Sequence, residues 1–576
     1  MNLLPRPRVV DLTDRLVPNH VVGERIEPSL PPEGYELRIG DDGAEVSGGD
    51  AAGLFYARAT LAQLAHLHDG SLPAGTISDH PDLAVRGVML DVSRDKVPTM
   101  QTLRDLIDRL ASWKVNQVQL YSEHTFAYTG HPEVHAAASP FTADEIRELD
   151  VFCRDRHVEL VPNQNCLGHM NRWLLHDRYR ALALMPDGFI DDYRMARAAM
   201  TLDPSNPGSL PLIRELLAEL LPLFSSRRVH VGLDEAWELP RERIGEFMEW
   251  IAQLRALPEL EEREMLIWGD MIADDRALLA QLPDGVTVCE WGYDAFHPFD
   301  ERAATLADAG VPFWVAPGTS SWLTILGRIT NAMDNCCNAA RAAVAYGALG
   351  FLNTDWGDQG HLQQLPISDP GLAYGAAVSW CVDVNADLDL AAALSAHCYD
   401  DPTGELSAAL LALGDAHLLI TPQFPNMSTF VLHLYFPQLT LGRGLTRGIT
   451  SDELDSLERC LLDARAAVDR SAPRRADADR LVGELHWSID LALLLARDAR
   501  ARLEGDGTIA SVDSVTRQGF ATELELLIDR YRAAWLARNR PGGLDDSVSW
   551  LRNLHAAYAS GEPDMTWGGW RVRTTT

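Results

Sequence analysis

The sequence predicts an α/β protein built on a (β/α)8 barrel, preceded by a small α+β unit and followed by a helical region. Three observations carry this reading. From Val85 onward, eight short apolar runs alternate with segments of helical periodicity: VRGVMLDV, NQVQLY, HVELVPN, RVHVGL, EMLIWG, VTVCEW, VPFWVA and LGFLNTD. Each run is strand length, and unbroken apolar stretches are what a parallel strand buried on both faces requires. Acids, amides and indoles then recur at or just past the run ends, at Asp91, Glu123, Asn163, Asn165, Asp234, Glu235, Asp270, Trp291, Asp355 and Asp358. In a closed barrel those ends share one cleft. An open doubly wound sheet is the alternative, but the first run is not followed by a glycine-rich dinucleotide turn.

The elements follow in order. Residues 1–83 read as the small α+β unit: YELRIG and AEVSGG flank the turn DDG, and AAGLFYARATLAQLAHL has helical apolar spacing. Residues 84–400 form the barrel. Within it, MQTLRDLIDRLASWKVN sets Leu103, Leu106, Ile107, Leu110 and Trp113 on one helical face. Residues 401–576 are helical, with three long amphipathic stretches (SDELDSLERCLLDARAAVDR, DRLVGELHWSIDLALLLARDARARL, ATELELLIDRYRAAWLARN) packed beside the barrel. The segment WLARNRPGGL is the one part of this region with a chance of approaching the cleft.

A length of 576 residues exceeds what one core usually organises. With 83 acidic against 50 basic residues, the net charge of −33 offers phosphate no basic face, so nucleic acid is not the expected partner. Only Lys96 and Lys114 are lysines. The first twenty residues lack the apolar core of a signal peptide, and no run approaches a membrane span, so a cytoplasmic location is expected. The eight cysteines form no CxxC pair and are expected to be small buried side chains rather than metal ligands. His124, His131 and His135 match no usual zinc spacing; a solvent-facing or substrate-binding loop is the expectation there.

The chemistry centres on RRVHVGLDEAWELP. Successive side chains of a regular strand point to opposite faces, so Asp234 and Glu235 can share one pocket only if the chain leaves the ladder, which Gly232 permits. Two close carboxylates repel when both are charged, and the pair is expected to hold one proton near neutral pH, as glycosidic cleavage requires. Trp268, Trp291 and Trp356 follow three strands and Trp322 lies just beyond a fourth. Indole faces stack on the C–H faces of sugars, whereas Trp113 and Trp250 read as core.

At this point the chain resembles glycoside hydrolase family 20, the β-N-acetylhexosaminidases. GGDAAGLFYARATLAQL resembles the end of that family's small N-terminal domain, which is zincin-like, and ISDHPDLAVRGVMLDVSRD resembles the barrel entry. VELVPNQNCLGHM, RVHVGLDE and TDWGDQGH resemble its third-, fourth- and eighth-strand motifs. The resemblance implies a retaining exo-glycosidase acting on terminal 2-acetamido-2-deoxy-β-hexosides (GlcNAc or GalNAc) with no cofactor and no metal. Glu235 would be the general acid/base, Asp234 would orient the acetamido group, and that group's carbonyl would attack the anomeric carbon. Arg86 and Asp358 would bind sugar hydroxyls, Trp268, Trp291 and Trp356 would wall the pocket, and His169 would lie behind the carboxylate pair. The sequence departs from the family pattern at Leu233, where a second glycine is usual, and at Asn163 and Asn165, where acids are usual. It also has no Tyr-x-Asp after the seventh strand, leaving Trp322, Asn331 or Asn335 to supply that donor. Two alternatives stand beside this reading: a barrel glycosidase with a carboxylate nucleophile for sugars without the acetamido group, and a non-catalytic sugar-binding barrel.

Overall fold

The computed structural model describes residues 2–190 and 196–564. The chain opens with a five-stranded sheet: β1 (Val9–Pro18), β2 (Val21–Ile26), β3 (Tyr35–Gly40), β4 (Gly43–Gly48) and β5 (Ser71–Asp79), ordered β1-β5-β3-β4-β2. Only β2 and β4 run parallel. One face of β3 and β4 buries Tyr35, Leu37, Ile39 and Val46 against Tyr56, Leu61 and Leu64 of the helix Ala51–Leu67. Asp50 caps that helix, its carboxylate accepting from Gly53 N at 2.8 Å, which satisfies one of the amides left unpaired at a helix start.

The barrel strands are β6 (Val85–Asp91), β7 (Gln117–Tyr121), β8 (Glu159–Val161), then, after a short hairpin of β9 (Phe189–Ile190) and β10 (Ala196–Arg197), β11 (Arg228–His230), β12 (Glu264–Trp268), β13 (Val286–Trp291), β14 (Phe313–Ala316) and β15 (Gly350–Asp355). All pair in parallel, in the order β11-β12-β13-β14-β15-β6-β7-β8. The last seam, β8 to β11, is closed by a parallel bridge between Asn163 and His230. Every apolar run read from the sequence contains one of these strands. Helices such as Met100–Ser112, Ser209–Leu220, Ile244–Arg255 and Ile329–Tyr346 wrap the outside. The first buries Leu103, Leu106, Ile107 and Leu110, and Trp113 caps its end, also buried.

Sheet and barrel meet at a buried ionic junction. Lys114 Nζ lies 2.8 Å from the Asp79 carboxylate, which also accepts from Trp380 Nε1 at 2.9 Å and from the Tyr35 hydroxyl at 2.8 Å. A charge pair so deeply buried persists only with this degree of hydrogen bonding.

Beyond the barrel, helices Glu405–Asp415, Ser451–Arg470, Ala478–Glu504, Ser514–Arg538 and Leu544–Ser560 pack together. They also grip the barrel rim. Arg540 N donates to Val97 O at 2.8 Å, Asn539 bridges Pro98, and the Tyr531 hydroxyl donates to His361 O at 3.1 Å. The segment around Asn539 thus touches the loop after β6 that carries Arg94. No helix among the described residues is long and apolar enough to cross a membrane. All eight cysteines are free; seven are buried and Cys460 is partly so.

Candidate active site

The fourth barrel strand ends early, at His230, and the chain then turns out of the sheet. Gly232 has φ +71°, Leu233 +77° and Glu235 +49°, three left-handed residues within four. This is the departure from the ladder that two adjacent carboxylates need in order to face one cavity. At Leu233 the conformation costs about 1–2 kcal/mol. Its side chain is fully buried, which returns roughly 2–3 kcal/mol and outweighs the strain. The third-strand loop closes against this turn: a Cβ on Gly168 would stand 2.3 Å from Asp234 O, so only glycine fits.

His169 lies between the two carboxylates. Its Nε2 is 3.1 Å from Asp234 Oδ2 and 3.3 Å from Glu235 Oε2, while Nδ1 is 3.4 Å from an Arg94 nitrogen and 3.8 Å from Glu123 Oε1. Burial alone would lower the imidazole's pKa, but the Asp234 charge overrides it and holds His169 well above its ordinary value. Burial likewise pushes Asp234 upward, and the His169 and Arg94 cations bring its carboxyl below the usual range. Asp234 Oδ1 is buried and accepts no hydrogen bond from any described residue. Glu235 is the outermost member, its side chain 31% exposed against 12% for Asp234. These three residues are also the one group among those described whose donor atoms could jointly hold a metal ion.

Two further acids complete the cleft. Asp270, after β12, accepts from Glu235 N at 3.0 Å and from Trp291 Nε1 at 3.2 Å. Crowding in the cleft wall and then the Asp234 charge push it up to about 7, although its surface reaches solvent. Asp358 is pushed up to about 6, mainly by burial, with Arg94 opposing. Asp270 and Asp358 are thus displaced upward, while Asp234 is displaced downward.

The four tryptophans are brought together. Trp356 packs edge-on to Tyr121 at 4.8 Å and lies 6.1 Å from Trp268. Tyr293 stacks on Trp291 at 5.1 Å, meets Trp322 edge-on at 5.1 Å and lies 6.4 Å from Trp356. The indole nitrogens of Trp268 and Trp322 are buried without a described partner, whereas that of Trp356 hydrogen-bonds the Tyr293 phenol.

Arg86 is not in this cleft. It stands near the start of β6, and its guanidinium pairs with Glu33 at 2.7 Å and donates to Lys114 O and Leu83 O. Its place is the junction with the N-terminal sheet, some five residues, or about 17 Å, below Asp91. The arginine at the strand's other end is Arg94, which pairs with Asp91 at 3.2 Å and Glu123 at 3.2 Å and lies over the Tyr121 and Trp356 rings at 4.6 and 5.3 Å. The signal was present in the same motif, two residues past the apolar run. Asn331 and Asn335 are also not free donors. Asn335 holds Gly292 O, Asp294 O and Gly318 N, and Asn331 holds Tyr293 O, Ala295 N and the Ser320 hydroxyl. Both fix the loop after β13, whose Tyr293 the sequence reading did not single out. Burial, together with the charges of Asp234, Asp358 and Glu235, keeps the Tyr293 phenol well above its ordinary value and therefore a proton donor. Asp355 is structural: it accepts from the Thr319, Ser321 and Ser368 hydroxyls at 2.6–2.8 Å.

His124 and His131 are buried rather than solvent-facing, and burial lowers both. His131 Nδ1 is 2.6 Å from the Tyr179 hydroxyl, and His135 Nε2 is 3.1 Å from Tyr128 O. They fasten the loop after β7 to its neighbours. A surface depression of about 480 Å³ lies between segments 204–211 and 246–253, but it gathers neither indoles nor the His169 cluster, and the chemistry sits at the strand ends.

Comparison with known proteins bears on the family and the fold. Residues 84–346 match the model of the glycosyl hydrolase family 20 catalytic domain, and residues 7–80 match that family's domain 2. A β-hexosaminidase of Akkermansia muciniphila is 26% identical over 264 residues, covering 41% of this chain and 53% of that protein. A β-N-acetylhexosaminidase of Cellulomonas fimi is 25% identical over 339 residues, covering 55% and 65%. The chain therefore spans under two thirds of the length of these relatives. Among solved structures, a β-N-acetylhexosaminidase superposes with a TM-score of 0.55 at 20% identity, covering 66% of this chain and 90% of that one. An inactive mutant of the exo-β-N-acetylglucosaminidase from Vibrio harveyi superposes with a TM-score of 0.55 at 16% identity, covering 72% and 78%. At such identities the superpositions speak to the fold. The two family matches, contiguous and together spanning more than half the sequence, carry the assignment: the chain belongs to glycosyl hydrolase family 20.

Proposed function

We propose that the protein is a retaining exo-glycosidase that removes terminal 2-acetamido-2-deoxy-β-hexose residues with the help of the substrate's own acetamido group. The observation that carries this reading is the buried, unpartnered Asp234 Oδ1 beside the outward-facing Glu235. A buried acceptor without a donor costs about 1–3 kcal/mol, which an incoming N–H would return. The acetamido N–H is such a donor, and seating it there turns the carbonyl oxygen toward the anomeric carbon.

In the first step the carbonyl oxygen bonds to the anomeric carbon as the glycosidic C–O bond breaks. Glu235 gives its proton to the departing oxygen, leaving an oxazolinium ion and a free alcohol. Asp234, held ionised by His169 and Arg94, offsets the positive charge that develops on the acetamido nitrogen. In the second step Glu235 takes a proton from water as the water oxygen attacks the anomeric carbon, and the acetamido group is released. Two inversions give net retention. Tethering the nucleophile to the substrate avoids a bimolecular entropy cost of up to roughly 7–11 kcal/mol.

The donor to the acetamido carbonyl oxygen would be Tyr293 rather than Asn331 or Asn335, whose amides are already engaged. Arg94 and Asp358 take the hydroxyls of the terminal sugar and Trp291 walls its ring, with the buried Trp268, Trp322 and Trp356 packed behind.

A thiazoline analogue of the oxazolinium tests the route. Competitive inhibition, together with a first-formed product of retained configuration by proton NMR, is the expected result. A trapped covalent adduct from a 2-fluoro sugar would instead assign a carboxylate nucleophile.

A further inference from the structure

Immediately after Glu235 the chain makes a tight turn in which Trp237 N donates to Glu235 O at 2.7 Å. The turn is pinned from the other side, because the Glu238 carboxylate accepts from Met200 N at 2.8 Å, from Thr201 N at 3.2 Å and from the Thr201 hydroxyl. Trp237 projects from this anchored turn with 43% of its surface in water, the one tryptophan among the described residues exposed to that degree. Its ring is backed by Arg197, whose guanidinium carbon lies 5.2 Å from the ring centroid and which is itself buried in the β9–β10 hairpin. An indole held on one side by a cation and open on the other is a rigid platform.

Its place in sequence and space suggests the occupant. Glu235 is the outermost member of the catalytic cluster, and a general acid must meet the oxygen of the group that leaves. That group therefore lies on the solvent side of Glu235, and the exposed Trp237 follows two residues later in the same turn. A pyranose ring has the apolar C–H face that stacks on indole; a small alkyl leaving group does not.

We propose that Trp237 forms a leaving-group subsite, a stacking platform for the sugar ring released on cleavage, with Arg197 fixing the indole from behind. The protein is thereby adapted to glycan substrates in which the terminal residue is linked to another pyranose. This rests on the hydrolase reading above and adds to it the chemical class of the aglycone.

The test compares two substrates with the same terminal sugar, a β-linked disaccharide and the methyl β-glycoside, on wild-type protein, Trp237→Ala and Trp237→Phe. For Trp237→Ala, KM for the disaccharide should rise roughly three- to tenfold, with kcat/KM for the methyl glycoside within about twofold of wild type. Trp237→Phe should recover part of the loss. An unchanged disaccharide KM, or an equal loss on both substrates, overturns the subsite. If wild-type protein cleaves neither substrate, the hydrolase reading itself falls, a result distinct from either of those.

Discussion

Replacing Asp234 with Asn removes one charge from the cluster while keeping a carbonyl oxygen able to accept from an N–H. His169 Nε2 lies 3.1 Å from Asp234, and at an effective dielectric of 20 that contact is worth about 5 kcal/mol. Glu235 at 3.3 Å and Glu123 at 3.8 Å remain and recover part of it, while Arg94 works against the imidazolium. The net effect is a fall in the His169 titration midpoint. The His169 pKa is raised in the folded protein, so its contribution to stability is present below its unfolded pKa and is lost as pH rises through the folded one. In the variant that loss moves to lower pH. The same substitution leaves the developing positive charge on the acetamido nitrogen uncompensated, and kcat should fall by about 10²- to 10³-fold with KM little altered. The assays are NMR titration of the His169 ring proton and steady-state hydrolysis of aryl 2-acetamido-2-deoxy-β-glycosides. An unmoved His169 midpoint, or a rate loss below about threefold, would refute the reasoning.

Tyr293→Phe keeps the stack on Trp291 and removes only the hydroxyl; hydrolysis of acetamido substrates should fall by about 10- to 100-fold, with thermal stability unchanged in a melting scan. Gly168→Ala places a methyl group against Asp234 O and should cost activity out of proportion to stability, seen by comparing kcat/KM with the urea midpoint. Lys96 donates to Gln363 O at 2.8 Å in a buried setting that lowers its ammonium to about 7. Between that value and 10.5 the unfolded chain holds more protons, so stability rises with pH across the window, by up to roughly 4–5 kcal/mol. Lys96→Met should flatten that rise in urea denaturation, whereas parallel profiles for the two proteins would contradict it.

The barrel was legible because burial on both faces imposes unbroken apolar runs, and the helix Ala51–Leu67 because its period is regular. Strands β1, β2 and β5 escaped the reading. β2 is exposed along its whole length and β1 along most of its length, so neither carries an apolar signature. Within the site, Asp234, Glu235, Asp358 and the four tryptophans could be singled out because strand ends converge by topology, and His169 only through the resemblance of its Gly-His motif. Arg86 and Arg94 bracket one strand, and the choice between them was legible: the mouth lies at the C-terminal strand ends, which favours Arg94, whereas Arg86 stands at the junction end. Tyr293 was overlooked because the expected donor was sought after the seventh strand, whereas this one follows the sixth and is fixed by asparagines on the helix Ile329–Tyr346. The buried histidines after β7 depended on tertiary packing with Tyr179 and Glu215, far away in sequence.

Glu235→Gln offers the most direct measurement, made on two aryl glycosides that differ in leaving-group acidity. The variant should fold as wild type and lose turnover far more severely on the substrate whose leaving group needs a proton than on the one that departs unaided. Equal losses on both, or a wild-type rate on the substrate whose leaving group needs a proton, would show that this side chain is not the acid that cleaves the bond.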